Sequence, residues 1–373
     1  MKQTQAFLST YTADVSGVCS ALFELGGMTV MHDASGCNST YNTHDEPRWY
    51  DMDSLVYISG LSELEAVMGD DEKLISDVSD AARQLHPRFI ALAGTPIPMI
   101  TGCDLPAIAR EVEGRTKIPS FAVPSNGIGT YVAGAGQALR LYAERFITSR
   151  PEKRKNAVNI LGATPLDFSV NGCVQSMARR LEEAGFTLQS VFAMSSSIDA
   201  IDEAGAAEVN LVVSSVGLPA AQYLQAQFGT PYVIGAPFGD FFSPYVFDAL
   251  RESIRTGAPA DVLGTFAPDA PDTVIVGESV TAKSLAAALA VGYGIGARVI
   301  CPVEAPDGVL GACDLRLEDE EEIEQALRGA RRVIADPLYR RIVPAKSEFY
   351  PLPHEAFSGR IYRKQIPNLA ERV

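Results

Sequence analysis

Val274-Ile275-Val276-Gly277-Glu278-Ser279 is a β-branched apolar run that ends in a glycine turn, and a helical pattern begins near Ala282. The same succession occurs at Ile160-Leu161-Gly162-Ala163-Thr164-Pro165. A short apolar run bounded by glycine reads as a buried strand, and glycine permits the tight turn into the next helix. Ser279 or Thr281 is placed to cap that helix. Strand, glycine turn and helix together make the repeating unit of a parallel sheet.

With these two, at 157–161 and 273–276, runs of this kind fall at 29–31, 55–58, 89–93, 120–123, 211–214, 232–234, 298–301 and 332–335. Between them, segments such as 72–85 and 174–184 carry apolar residues at three- and four-residue spacing, the period of an amphipathic helix. Composition shifts at the charged stretch Ser149-Arg150-Pro151-Glu152-Lys153-Arg154-Lys155 and at the Gly/Ala/Pro-rich stretch 257–271. The expected architecture is α/β, with three doubly wound, Rossmann-like parallel-sheet domains at 1–154, 155–269 and 270–373. Ligands in such sheets sit at the carboxyl ends of the strands.

The composition narrows the function classes. Hydrophobic residues make up 47% of the 373 residues and charged residues 21%, enough apolar material for several cores. The net charge of −15 would repel a phosphate backbone, so nucleic acid is not an expected partner. No stretch reaches the roughly 20 apolar residues of a membrane helix, and no secretory signal is read at the N-terminus, which leaves the cytoplasm as the expected compartment. Neither a complete Gly-x-Gly-x-x-Gly opening a helix nor a Gly-Lys-Ser/Thr phosphate loop is present, so ATP and NAD are not expected on this chain. The acidic run Glu318-Asp319-Glu320-Glu321-Glu322 reads as the solvated first turn of a helix.

Six cysteines in so long a chain do not form a secreted disulfide framework. Cys19 lies in Ser16-Gly17-Val18-Cys19-Ser20, and Cys37 in Asp33-Ala34-Ser35-Gly36-Cys37-Asn38, each in what reads as a turn near a glycine. Thiolate is the ligand of iron–sulfur clusters, and a neighbouring glycine lets the backbone approach a bulky inorganic core. Spacing alone leaves a packed core thiol as the alternative. Cys103, just before an amphipathic helix, is a third ligand, a helix-terminal thiolate or a packed residue. Cys173 starts a helix and Cys301 ends a strand, both as structural residues. Of the four histidines, His32 is close enough to Cys37 to orient its loop, and His44, with Arg48 and Trp49, could line a substrate cleft or a docking face. His86 and His354 read as satisfied structural histidines.

Several segments together resemble the nitrogenase component 1 family, which includes nitrogenase α and β subunits, a cofactor-assembly scaffold, dark-operative protochlorophyllide reductase and the reductase of the coenzyme F430 pathway. Met31-His32-Asp33-Ala34-Ser35-Gly36-Cys37 is similar to the family's His-Gly-Pro-x-Gly-Cys cluster loop, with Cys19 at the place of the preceding ligand. Met68-Gly69-Asp70-Asp71-Glu72-Lys73-Leu74, the stretch from Ala93 to Leu105 and Val123-Pro124-Ser125-Asn126-Gly127 follow in the family's order. Thr95 stands where the third cysteine is expected, Cys103 lies eight residues on, and no clear counterpart is read for the cysteine and histidine that hold the nitrogenase catalytic cofactor.

The resemblance implies a two-component oxidoreductase. One [4Fe–4S] cluster would be held by Cys19 and Cys37, with Cys103 or Thr95 as open alternatives and Gly36 and His32 beside it. The cluster would be shared between two subunits of a homodimer or of a heterodimer with a paralogue. An ATP-dependent iron protein would supply electrons for reduction of a small or tetrapyrrole-like substrate. A scaffold for cofactor assembly, without turnover, is the alternative, and a cluster-less ligand-binding α/β protein the second alternative.

Overall fold

The computed structural model describes residues 6–34, 46–266 and 271–373. Its strands form three sheets, and every pairing within them is parallel. The first sheet contains β1 (Met28–His32), β2 (Leu55–Ile58), β3 (Ile90–Gly94) and β4 (Ser120–Val123), in the order β2-β1-β3-β4. The second contains β5 (Arg154–Leu161), β6 (Thr187–Val191), β7 (Ala207–Val212), β8 (Tyr232–Ile234) and β9 (Ala260–Asp261), in the order β6-β5-β7-β8-β9. The third contains β10 (Thr273–Val276), β11 (Ala297–Cys301), β12 (Leu315–Arg316), β13 (Arg332–Ala335) and β14 (Glu348–Pro351), in the order β12-β11-β10-β13-β14.

Each order reverses at one place, between β1 and β3, between β5 and β7, and between β10 and β13. At such a reversal the crossovers leave to opposite sides and open a crevice above the strand ends. The residues at those ends are therefore the first place to look for chemistry.

The first sheet separates two cores. Side chains alternate faces along a strand. Met31, Ala91 and Ala93 pack with Cys19 and the Asp14–Leu22 helix, whereas Met28, Val30, Ile90 and Leu92 pack against the Asp71–Leu85 and Leu105–Thr116 helices. The first of these cores continues into the second and third sheets.

Four expectations change. Cys19 lies inside the Asp14–Leu22 helix rather than in a turn. Gly17 serves a helix contact: a Cβ there would lie 2.3 Å from the Tyr131 carbonyl oxygen, and one on Gly134 would lie 1.9 Å from that of Asp14. The helix after β10 is capped by the Glu278 carboxylate, which accepts from Val280 and Thr281 N–H, and not by Ser279 or Thr281. Glu320 is buried, and one of its oxygens accepts from the backbone N–H of Ala6, Phe7 and Leu8 at 2.7–3.1 Å. That carboxylate pins the N-terminal segment instead of facing water.

Candidate functional site

Two regions gather reactive side chains. The first surrounds Cys19. Its thiol is wholly buried, and burial, with the Glu46 carboxylate next, pushes its pKa far above the ordinary thiol range. Ser20 donates from Oγ to Glu46 Oε2 at 2.8 Å. Arg48 donates from Nε to Glu46 Oε1 at 2.6 Å, from Nη1 to Glu24 at 2.7 Å and from Nη2 to the Ser20 carbonyl at 2.8 Å. Its guanidinium also lies 4.7 Å from the Phe23 ring centre, and Trp49 packs against the same ring. Arg48 is thus buried, and its charge is matched by two carboxylates; it faces the protein rather than a cleft.

Cys37, Gly36 and His44 lie outside the described residues, between Ala34 and Glu46. Both described ends of that segment are fixed. At one end His32 Nδ1 lies 2.9 Å from Ser59 Oγ, and Thr95 Oγ1 donates to the His32 carbonyl at 2.9 Å across the β1/β3 reversal. At the other end Glu46 is bonded to Ser20 and Arg48 on the Cys19 helix side. Three peptide units separate Ala34 from Cys37, a reach of at most about 11 Å.

Cys103 belongs elsewhere. It packs with the core on the opposite face of the first sheet from Cys19, and its Sγ lies 3.8 Å from Asp71 Oδ1. Burial and then the Asp71 charge push its thiol up to about 12. It lines one cavity with His32, Glu65, Asp70 and Asp71. Burial holds the His32 imidazole below its ordinary range despite the Asp71, Asp33 and Glu65 carboxylates.

The second region lies where the three units meet. Asp167 follows β5, Ser214 follows β7, Glu278 follows β10 and Asp336 follows β13, so all four stand at the two other sheet reversals. Asp167 Oδ1 accepts from Tyr131 OH at 2.5 Å, and Oδ2 from Ser214 Oγ at 2.6 Å. His354, just past β14, brings Nε2 to 3.4 Å from Asp167 Oδ1. Its ring centre is 5.9 Å from that of Tyr11 and 6.0 Å from that of Tyr131. Burial drives the imidazole pKa down, but Asp167, then Asp336 and Glu278, outweigh it and hold the group above its ordinary value. Both ring nitrogens are buried and lack a hydrogen-bond partner among the described residues, so His354 is not the satisfied structural histidine its sequence setting implied. Cys173, at the start of its helix as expected, lines the same cavity.

No local sequence signal marks this second cluster. Its members come from residues 11, 131, 167, 214, 278, 336 and 354, and only the carboxyl-end rule for parallel sheets pointed near them.

The nitrogenase component 1 type oxidoreductase family model matches residues 16–262, and the chain belongs to that family. Among curated relatives, the nitrogenase iron-molybdenum cofactor biosynthesis protein NifE of Methanosarcina barkeri is 28% identical over 196 residues, which cover 49% of this chain and 42% of that one. A light-independent protochlorophyllide reductase polypeptide of Prosthecochloris aestuarii is 28% identical over 187 residues, covering 48% and 35%. The aligned stretch spans less than half of either relative. A solved structure, nitrogenase Cp1 at pH 5, superposes with a TM-score of 0.60 at 17% identity and covers 87% of this chain and 72% of that one, a likeness of fold. Among the described residues, no helix is long and apolar enough to cross a membrane.

Proposed function

We propose that the chain is the reductase subunit of a two-component, nitrogenase-like system, carrying a [4Fe–4S] cluster at a contact with a second subunit. Cys19 and Cys37 would supply two thiolates and the second subunit two more. The observation that carries this reading is the Glu46–Ser20–Arg48 network. It fastens the far end of the Cys37 segment to the helix that holds Cys19. Chain length tethers the near end to β1, whose Met31 shares a core with Cys19. The donor set suits a cluster in kind: a thiol sealed from water, and a second thiol three peptide units along the chain from Ala34. Cys103 and Thr95 are left out of the set. Cys103 is on the other face of the sheet, and the Thr95 hydroxyl is engaged by the His32 carbonyl.

When bound, the cluster would supply one-electron transfer, with electrons from an ATP-dependent iron protein. The chain's own residues would exclude water from Cys19 and fix Glu46, at the described end of the segment that carries Cys37. A partner subunit, identical or paralogous, and a cytoplasmic setting belong to the same proposal. A scaffold for cofactor assembly is the second reading, favoured by the name of the NifE relative. Many turnovers per dimer separate a reductase from a scaffold, which transfers at most a stoichiometric load.

Substitution tests the ligand set. Cys19→Ser and Cys37→Ser are each expected to remove most of the iron from anaerobically purified protein, while Cys103→Ser retains it. Full iron in both single variants would overturn the assignment.

A further inference from the structure

The cavity on the Cys103 side of the first sheet is walled by acceptors. It measures about 230 Å³, and His32, Glu65, Asp70, Asp71 and Cys103 line it without a lysine or arginine among the lining residues. Glu65 is matched: Lys73 pairs with it at 2.9 Å and the Ser62 N–H donates to it at 2.9 Å. Asp71 is not matched. The carboxylate of this half-buried residue has one hydrogen-bond donor among the described residues, the Cys103 thiol at 3.8 Å. The helices Glu63–Met68 and Pro96–Thr101 end at the cavity wall, at Gly69 and Gly102. The carbonyl end of a helix carries partial negative charge, so backbone and side chains act in the same sense. The Asp71–Leu85 helix presents its opposite end, whose charge Asp70, Asp71 and Glu72 offset.

His32 adds an independent observation. The residue is only 6% exposed, and its ring lines the cavity. Nδ1 lies 2.9 Å from Ser59 Oγ. That oxygen accepts from the Asp33 N–H at 3.1 Å and directs its own hydrogen to the Asp33 carbonyl at 3.3 Å. Nδ1 is therefore the donor of the pair, and Nε2 carries a bare lone pair. Nε2 has no hydrogen-bond partner among the described residues. Burial keeps the ring neutral against the pull of Asp71, Asp33 and Glu65. A nearly buried acceptor without a donor, beside a carboxylate without a cation, fits a site that a donor-rich cation completes.

We propose that this cavity binds a small primary alkylamine, whose ammonium group donates to the Asp71 carboxylate and to His32 Nε2 while its alkyl tail lies against Leu61 and Ala66. An ammonium has three donors and no acceptor, the complement of such a wall. A quaternary ammonium brings the charge without the donors, and an alcohol brings a donor without the charge, so each satisfies half of the site. The volume holds about seven heavy atoms at the share of a liquid water molecule, which sets the size of the amine. A transition-metal ion needs several ligands at short range, and among the described residues no three His, Cys, Asp or Glu side chains are placed to hold one. The Cys103 thiol, lifted to about 12, stays protonated and donates to Asp71.

The test is NMR at pH 7 on the full chain labelled with ¹⁵N-histidine. Four histidines give a small spectrum, and His32→Gln assigns the signal of interest. The His32 ring is expected to read as neutral with its proton on Nδ1. n-Butylamine is expected to shift the Nε2 signal, and to bind at least tenfold more tightly than butyltrimethylammonium or 1-butanol. Asp71→Asn keeps the shape of the side chain and removes its charge. It should weaken butylamine at least tenfold, and it serves alone if His32→Gln fails to fold. A proton on Nε2, equal binding of the three probes, unchanged butylamine affinity in Asp71→Asn, or displacement of butylamine by one equivalent of zinc would each overturn the proposal. The site uses neither Cys19 nor Cys37, so its failure leaves the cluster reading untouched, and loss of the cluster reading leaves this one untouched.

Discussion

The Cys19 region and the three-sheet junction are built in opposite ways. Around Cys19 the polar groups close on one another: Arg48 is matched by Glu46 and Glu24, and the thiol is covered. At the junction the Asp167 carboxylate is bonded by Tyr131 and Ser214, and the His354 imidazole stands at ion-pair distance from it with no partner at Nδ1 among the described residues. The first arrangement fixes Glu46, the described end of the segment that carries Cys37, against the Cys19 helix. The second is assembled within one chain, from residues that follow strands of the second and third sheets. Buried charges are retained where they fix a geometry or do chemistry, and the two regions divide those roles.

The largest expected effect lies in the first region. Gly134→Ala would drive a methyl group into the Asp14 carbonyl and force the Cys19 helix away from its neighbour. A destabilisation of about 3 kcal/mol or more is expected from overpacking against backbone, read as a lower urea midpoint. A neutral outcome would mean that this helix is not seated as described, and would blur the contrast between the regions.

Asp167→Asn strikes the second region and has a pH signature. The folded pKa of His354 is raised, so its contribution to stability is complete below the unfolded value near 6.5 and is lost as pH rises through the folded value. The wild-type melting temperature should therefore fall as pH rises above about 6.5 and through the folded value. The variant should lose about 3 kcal/mol near neutral pH and show a flatter profile over that window. An unchanged profile would show that His354 is not held charged by Asp167.

Much of the fold was legible because several central strands are apolar runs closed by a glycine, at Gly94, Gly162, Gly235 and Gly277. Leu55–Ile58, Ser120–Val123 and Thr273–Val276 agree with their sequence reading to the residue. β6 escaped because Thr187-Leu188-Gln189-Ser190-Val191 mixes polar residues into an edge strand, and β9 and β12 are two residues long. β14 is an edge strand that ends in Pro351, a pattern that argues against a strand in sequence. For the sites, Gly17 beside Cys19 looked like a turn because sequence cannot separate a glycine that turns from one that admits a neighbouring helix. His354 was passed over because its partners are separated from it by up to more than 300 residues, and none shares a motif with it.

Two thiols per chain, joined across a subunit contact, are the centre of the proposed function. Iron and acid-labile sulfide on anaerobically purified protein, with an EPR spectrum after dithionite, test that directly. About two irons and two sulfides per chain with a reduced-cluster signal are predicted, the share of one four-iron cluster held by two chains. Protein that takes up no iron, even after reconstitution, would contradict the claim.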